Sequence, residues 1–271
     1  MGSKIKAVLC LDIDGTLTDH DMKIHPIDIG ILQDFPESVL PILATGRDLL
    51  SAKKILAENQ IFENTSLPLP GIFMNGGASY LPGEKLLISH NFSSETLKTL
   101  INLVKSYPDT IFGFFATSSV YFVNRLPTIH RDPRIHILSP RELDEKTLPE
   151  AIVKMIVVEQ DKSKIKAIEK SGLEIKAEIA YSLPYILEFT PPGINKAVGL
   201  PPLLQELSLE HIPVFTAGDG QNDLGLFTYA VKSFAPSYAH PTILEKADHI
   251  IEREKEGMLT PILDIISQQT S

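Results

Sequence analysis

Ala7-Val8-Leu9-Cys10-Leu11-Asp12-Ile13-Asp14-Gly15-Thr16 decides the fold. The first five residues are an uninterrupted apolar run, which predicts a buried strand of a parallel sheet. Two carboxylates follow at once, where burial costs free energy unless something compensates the charge. Side chains two apart on a strand share a face, so Asp12 and Asp14 converge on one small volume. Gly15 lets the chain turn sharply after them. A hard cation such as Mg2+, held by carboxylates together with a phosphate group, is the natural compensation. The stretch therefore points to phosphoryl chemistry.

Outward from it, strand-like runs alternate with amphipathic helical stretches, the pattern of an α/β fold. Val39–Ala44 predicts a second strand, but Pro41 is awkward inside a central strand, which would move the start of the strand to Pro41. A helix is expected over 48–58 and a third strand at Ile72-Phe73-Met74, ending at Asn75-Gly76-Gly77. The character changes after the turn signal Pro82-Gly83. A helix over 94–105, one long β segment over 111–123 and a polar stretch over 124–140 follow. Next come a strand over 152–158, a helix over 162–170, and strands near 174–180 and 185–189. From Pro192 the α/β pattern resumes. A helix over 196–207 must kink or restart at Pro201-Pro202. Strands are expected at 214–217, 232–235 and 249–251, and helices at 222–229, 241–246 and 260–267. The core is thus discontinuous, with an α+β block inserted at about residues 82–187.

Three further signals sit at predicted strand ends, where an open α/β sheet places its ligand site. Thr45-Gly46-Arg47 offers a hydroxyl and a backbone N–H near a helix start, a phosphate cradle. Lys196, after Gly193-Ile194-Asn195, offers a point charge to an anionic oxygen. Gly218-Asp219-Gly220-Gln221-Asn222-Asp223 places one carboxylate at a strand tip and opens a helix with Asn222 and Asp223. Each alone has a plainer reading: an Asx turn, a helix cap, a solvated lysine, a fragment of a calcium loop. Their joint occurrence, in order and each after a predicted strand, argues against those readings.

The 271 residues suffice for one large domain or two modest ones. A net charge of -9 argues against nucleic acid or an anionic membrane as partner. Cys10 is the one cysteine and reads as a small buried hydrophobe. No apolar run resembles a signal peptide or a membrane span, so a soluble cytoplasmic protein is expected.

The chain resembles the haloacid dehalogenase superfamily of phosphotransferases, and most of all its Cof-type phosphatases with a type-IIB cap. The resemblance is carried by Asp12-Ile13-Asp14-Gly15-Thr16-Leu17, Ala44-Thr45-Gly46-Arg47, Asn75-Gly76-Gly77-Ala78, Leu187-Glu188-Phe189 through Lys196, and 218–223. It implies a Rossmann-like core of residues 1–81 and 188–271 and a substrate-selecting α+β cap of residues 82–187. It implies Asp12 as nucleophile and Asp14 as acid and base. Mg2+ would be held by Asp12, the backbone carbonyl of Asp14, Asp219 and Asp223. Thr45, Gly46, Lys196 and Asn222 would hold the phosphoryl oxygens. The implied partner is a small phosphorylated metabolite, particularly a sugar phosphate, and the chain would act as a monomer or homodimer. Arg125, His130, Arg131 and Arg134 of the polar stretch are candidates for substrate contact. A sugar phosphomutase, a phosphatase of disaccharide phosphates and a non-catalytic binding protein are the rival readings. One departure stands out. Where such phosphatases carry something like Ala-Met-Gly-Asn-Ala, this chain has Ala235-Pro236-Ser237-Tyr238-Ala239.

Overall fold

A computed structural model describes residues 5–63, 66–124, 133–148, 151–175 and 177–270. The chain divides into two compact units, residues 1–88 with 196–271, and residues 89–195. In chain order the strands are β1 (Ala7–Leu11), β2 (Val39–Ala44), β3 (Gly71–Phe73), β4 (Ala78–Leu81) and β5 (Lys85–Ser89). They continue as β6 (Ile111–Phe115), β7 (Val120–Val123), β8 (Ile135–Leu138), β9 (Lys154–Val158), β10 (Glu178–Leu183) and β11 (Ile186–Thr190). The last three are β12 (Val214–Ala217), β13 (Lys232–Pro236) and β14 (His249–Ile251). The helices are α1 (Pro26–Gln33), α2 (Leu49–Glu58), α3 (Ser94–Ser106), α4 (Lys162–Glu174) and α5 (Leu200–Glu206). They end with α6 (Leu224–Tyr229), α7 (Pro241–Leu244), α8 (Arg253–Glu256) and α9 (Leu259–Thr270).

The first unit is built on an eight-stranded sheet in the order β14-β13-β12-β1-β2-β3-β4-β5. From β14 to β3 every neighbouring pair is parallel, and β4 turns back antiparallel. Numbered within that parallel set, the order is 3-2-1-4-5-6, the doubly wound arrangement with its switch point beside the first strand. All five residues of β1 are buried, as expected of a central strand covered on both faces. Val8 and Cys10 pack with Ile42, Ala44, Leu200, Leu203 and Leu226 in one apolar cluster. Burial pushes the Cys10 thiol up to about 12, which leaves it an inert core residue.

Pro41 lies inside β2, which begins at Val39. The Leu43 N–H points to Pro70 O on the β3 side, so Pro41, two residues earlier, presents its nitrogen the same way. β3 pairs only with Leu43 and Ala44, so the missing donor forfeits no ladder bond. Pro201 and Pro202 restart the chain as anticipated: a short 3-10 turn over Lys196–Gly199 gives way to α5, with proline in its first turn. Pro82 and Gly83 form the turn between β4 and β5, so both strands extend the first unit's sheet.

The second unit carries a six-stranded sheet, β10-β11-β9-β6-β7-β8. Phe112, Phe114, Met155, Val157, Leu187 and Phe189 project from it into a core shared with Leu100, Val104, Ile165 and Ile168 of α3 and α4. The expected single β segment over 111–123 is two antiparallel strands, β6 and β7, because Thr117-Ser118-Ser119 turns the chain. The stretch expected to be polar loop contains β8, which pairs parallel with β7. Helix α1 was also not anticipated. Its Gly30 and three isoleucines give it weak intrinsic preference.

Asp28 of α1 is fully buried and accepts hydrogen bonds from the N–H groups of Met258 (2.9 Å) and Leu259 (2.8 Å) at the start of α9. It thereby caps a helix from a distant part of the sequence. Asp28→Ala should destabilise the fold by about 3 kcal/mol, because two buried N–H groups lose a charged acceptor. A fall in Tm of several degrees checks this; an unchanged Tm contradicts it.

Candidate active site

The ends of β1, β2 and β12 meet at the switch point, and each delivers polar residues there. The Asp12 N–H donates to Ala217 O at 3.1 Å, tying the end of β1 to the end of β12. Thr45 follows β2, and its N–H donates to Ile72 O of β3. Gly15 (φ 75°) turns the chain after Asp14, and a Cβ there would collide with the Asp219 carboxylate. Only glycine admits that approach.

Lys196 is the centre of the arrangement. It is fully buried, and its ammonium donates to Asp12 Oδ1 at 2.6 Å and to Asp223 Oδ1 at 2.7 Å. Asp223 is also fully buried, and its Oδ2 accepts from the Gly220 N–H at 3.1 Å. Asp219 accepts from the Thr16 hydroxyl at 3.4 Å. Asp12, Asp219 and Asp223 each offer a carboxylate oxygen within 4.8 Å of the others.

Three carboxylates thus share one ammonium. Burial raises the pKa of Asp12 well above the ordinary carboxylate range; Lys196 opposes this, and Asp223, Asp219 and Asp14 reinforce it. Asp219 is pushed up to about 6, by burial first and the charge of Asp223 second, against the pull of Lys196. Burial disfavours the charge on Lys196, but Asp12 and Asp223 outweigh it and hold the ammonium above its ordinary value. The surplus of converging, oxygen-only negative charge fits a hard divalent cation.

Asp14 is held apart from this cluster. Its carboxylate is gripped by Arg47, whose Nη2 and Nε donate at 2.6–3.0 Å. The side chain of Asp14 is 37% exposed. Arg47 entered the sequence reading only as part of Thr45-Gly46-Arg47, and its forked contact with Asp14 was not foreseen. The Thr45 hydroxyl is buried and accepts from the Arg47 N–H at 3.1 Å. The Asn75 N–H donates to Thr45 O, and the Asn222 amide donates to Asn75 Oδ1 at 3.1 Å. This chain of contacts joins Thr45 on the β2 side to Asn222 on the β12 side. Asn75 adopts φ 55°, the left-handed region that asparagine tolerates better than most residues. Its place in Asn75-Gly76-Gly77 was the available signal. Of the polar-stretch candidates, Arg125, His130 and Arg131 lie outside the described residues. Arg134 lies in the second unit, where its carbonyl accepts from the Val120 N–H.

A family profile described as haloacid dehalogenase-like hydrolase matches residues 9–260. The chain belongs to that family. It is 27% identical to an uncharacterized hydrolase, C215.10, of Schizosaccharomyces pombe, over 97% of this chain and 91% of that protein. Among solved structures it resembles one described as a subclass IIB sugar phosphatase of the superfamily, with a TM-score of 0.76 and 18% identity. That match covers 95% of this chain and 98% of the other. It also resembles a superfamily phosphatase from Bacteroides thetaiotaomicron, with a TM-score of 0.75 and 18% identity, over 98% of this chain and 97% of that one. At these identities the structures speak for the fold: an α/β hydrolase of this family, with a Rossmann-like parallel-sheet core and an inserted α+β cap. Among the described residues no helix is long and apolar enough to cross a membrane.

The charge surplus gives a stability prediction. Asp219 ionises near its ordinary 3.8 when unfolded and near about 6 when folded. Folding therefore favours the protonated form, and stability falls as pH rises from about 4 through about 6. Above that range the metal-free fold carries the full burden of the charge. Asp219→Asn should raise the metal-free Tm at pH 7.5 and change it little at pH 4. The parent's Tm should rise on addition of Mg2+ at pH 7.5, and the variant's much less. Calorimetric scans with EDTA and with Mg2+ check both, and a metal-free variant less stable than the parent at pH 7.5 contradicts the charge count.

Proposed function

We propose that this hydrolase is a phosphatase of small phosphomonoesters, sugar phosphates foremost, with Asp12 as its nucleophile. The observation that carries the reading is Lys196 bridging Asp12 and Asp223 at buried strand ends, with Asp219 alongside. The ammonium fixes one Asp12 oxygen and opposes the effect of burial on its charge, and the other oxygen would attack phosphorus. In the first half-reaction Asp12 attacks phosphorus in line, the bond from phosphorus to the leaving oxygen breaks, and Asp14 gives that oxygen a proton. In the second, water attacks the aspartyl-phosphate, Asp14 takes the water's proton, and Asp12 is released with inorganic phosphate. The Arg47 fork fixes the orientation of the Asp14 carboxyl group for both halves. Thr45, the Gly46 N–H, Lys196 and Asn222 cradle the transferring oxygens and stabilise charge as it develops. Asp12, Asp219, Asp223 and the Asp14 backbone carbonyl would hold Mg2+, which would supply positive charge for the phosphoryl group.

We assign substrate selection to the inserted unit, as the catalytic residues all belong to the first. The sugar-phosphate class is supported by the likeness to a subclass IIB sugar phosphatase. Phosphate release from a panel of sugar phosphates, nucleotides, pyridoxal phosphate and an aryl phosphate tests the reading. With Mg2+ the parent should release phosphate, best from a sugar phosphate; with EDTA, or in Asp12→Asn, release should fall by at least about a thousandfold. No release from any ester by folded, metal-loaded protein overturns it. Phosphate that moves between positions of one sugar without release turns it into a mutase.

A further inference from the structure

The Pro236-Ser237-Tyr238 departure and a buried arginine have no part in the chemistry above, yet both close on the same segment. After the Asp12–Leu17 turn the chain makes a small hairpin, bridged between Thr18 and Ile24. Its tip is ordered by Asp19, whose carboxylate accepts from the N–H groups of Asp21 (2.9 Å) and Lys23 (2.8 Å). Its stem is continuous with the motif: the Thr18 N–H and hydroxyl both donate to Ile13 O, at 2.8 and 3.0 Å. Met22, on the tip, touches the Arg47 guanidinium at 3.4 Å, the same group that grips Asp14.

Arg253, at the start of α8, reaches this hairpin from beneath. It is 5% exposed, and its Nη2 donates to Leu17 O at 2.9 Å and Lys23 O at 2.7 Å, one carbonyl from each side of the stem. Its Nε is buried and has no hydrogen-bond partner among the described residues. Such a placement costs free energy, so the guanidinium is not there for its own satisfaction. The Tyr238 phenol lies near enough to feel the charge of the same guanidinium, and its ring packs against His20 at the hairpin tip, with centroids 5.5 Å apart. The loop bearing Tyr238 is itself pinned, because the His240 N–H donates to Asp219 O at 2.9 Å and the Ser237 N–H to Ile251 O at 2.9 Å.

We propose that Arg253 and Tyr238 are positioning residues that clamp the Thr18–Ile24 hairpin at stem and tip, and so hold the Asp12–Leu17 turn and Asp14 in reacting geometry. The inference rests on the phosphatase reading. It explains the departure: in this chain a tyrosine supplies both a ring for the tip and a hydroxyl toward the clamp.

The test uses the full chain with Mg2+ and an aryl phosphate. Turnover is counted per active site, from the burst of released phenol as the aspartyl-phosphate forms, and amide exchange is followed over residues 18–24. Arg253→Met should lower kcat per site by about ten- to a hundredfold, with KM changed less than about twofold. Arg253→Lys should recover part of the loss, because one ammonium reaches one carbonyl. Tyr238→Ala should lower kcat less than Arg253→Met and speed exchange at the hairpin tip, with Tyr238→Phe in between. The double variant Arg253→Met with Tyr238→Ala should be little worse than Arg253→Met, since both act on one element. If Arg253→Met does not fold, Arg253→Lys and Tyr238→Ala decide. An unchanged kcat per site with only a lower Tm, or exchange no faster than in the parent, overturns the inference and leaves the phosphatase reading standing. A parent that releases no phosphate from any ester overturns both.

Discussion

A single buried ammonium organises this protein. Lys196 lies between Asp12, from the end of the first strand, and Asp223, from the loop after β12. Neither carboxylate could sit in the core uncompensated, and the lysine could not sit there without them. Removing one member of such a set strands charge in the interior, which typically costs about 3–5 kcal/mol. Because residue 196 comes after the whole second unit, the contact adds a second tie between chain ends that the β1–β12 ladder already joins. Fold and site thus share this interaction.

The sheet order makes the interaction reachable. β1 runs between β2 and β12, all three parallel, so their carboxyl ends open on one side. Chain leaves that switch point in both directions, and the gap holds Asp12, Thr45 and Asp219 together without special loop structure. The remaining surplus of negative charge is functional in character: it disfavours the metal-free fold, and it suits a hard cation and a phosphoryl group arriving together. A well-packed apolar core would be more stable there and could do no chemistry.

Much of this was legible in the sequence, for identifiable reasons. The expected bounds of the first, β12 and last strands coincide with those observed, because each is a short apolar run ending in a polar signal. Asp12, Lys196, Asp219 and Asp223 could be gathered from their positions at strand ends. What stayed hidden depends on partners far apart in the chain. Arg47 meets Asp14 across 33 residues, and Arg253 meets Leu17 across 236. Nothing local to Arg253 distinguishes it from its charged neighbours Glu252, Glu254 and Lys255. Strand β8 was hidden for a different reason. Its Ile135-His136-Ile137-Leu138 run is short, sits at a sheet edge and follows a polar, proline-bearing stretch. Helix α1 forms although its residues prefer other states, because Asp28 is drawn into the α9 cap.

The central claim is that Asp12 carries the phosphoryl group. It is tested most directly by acid-quenching the enzyme within milliseconds of mixing with a radiolabelled aryl phosphate and Mg2+. Reduction with tritiated borohydride, which displaces the phosphate as it marks the residue, and peptide mapping would then locate the acyl-phosphate. The account predicts tritium on the peptide containing Asp12, with that aspartate converted to homoserine. Phosphate release without any protein label, or label on a different residue, would contradict it.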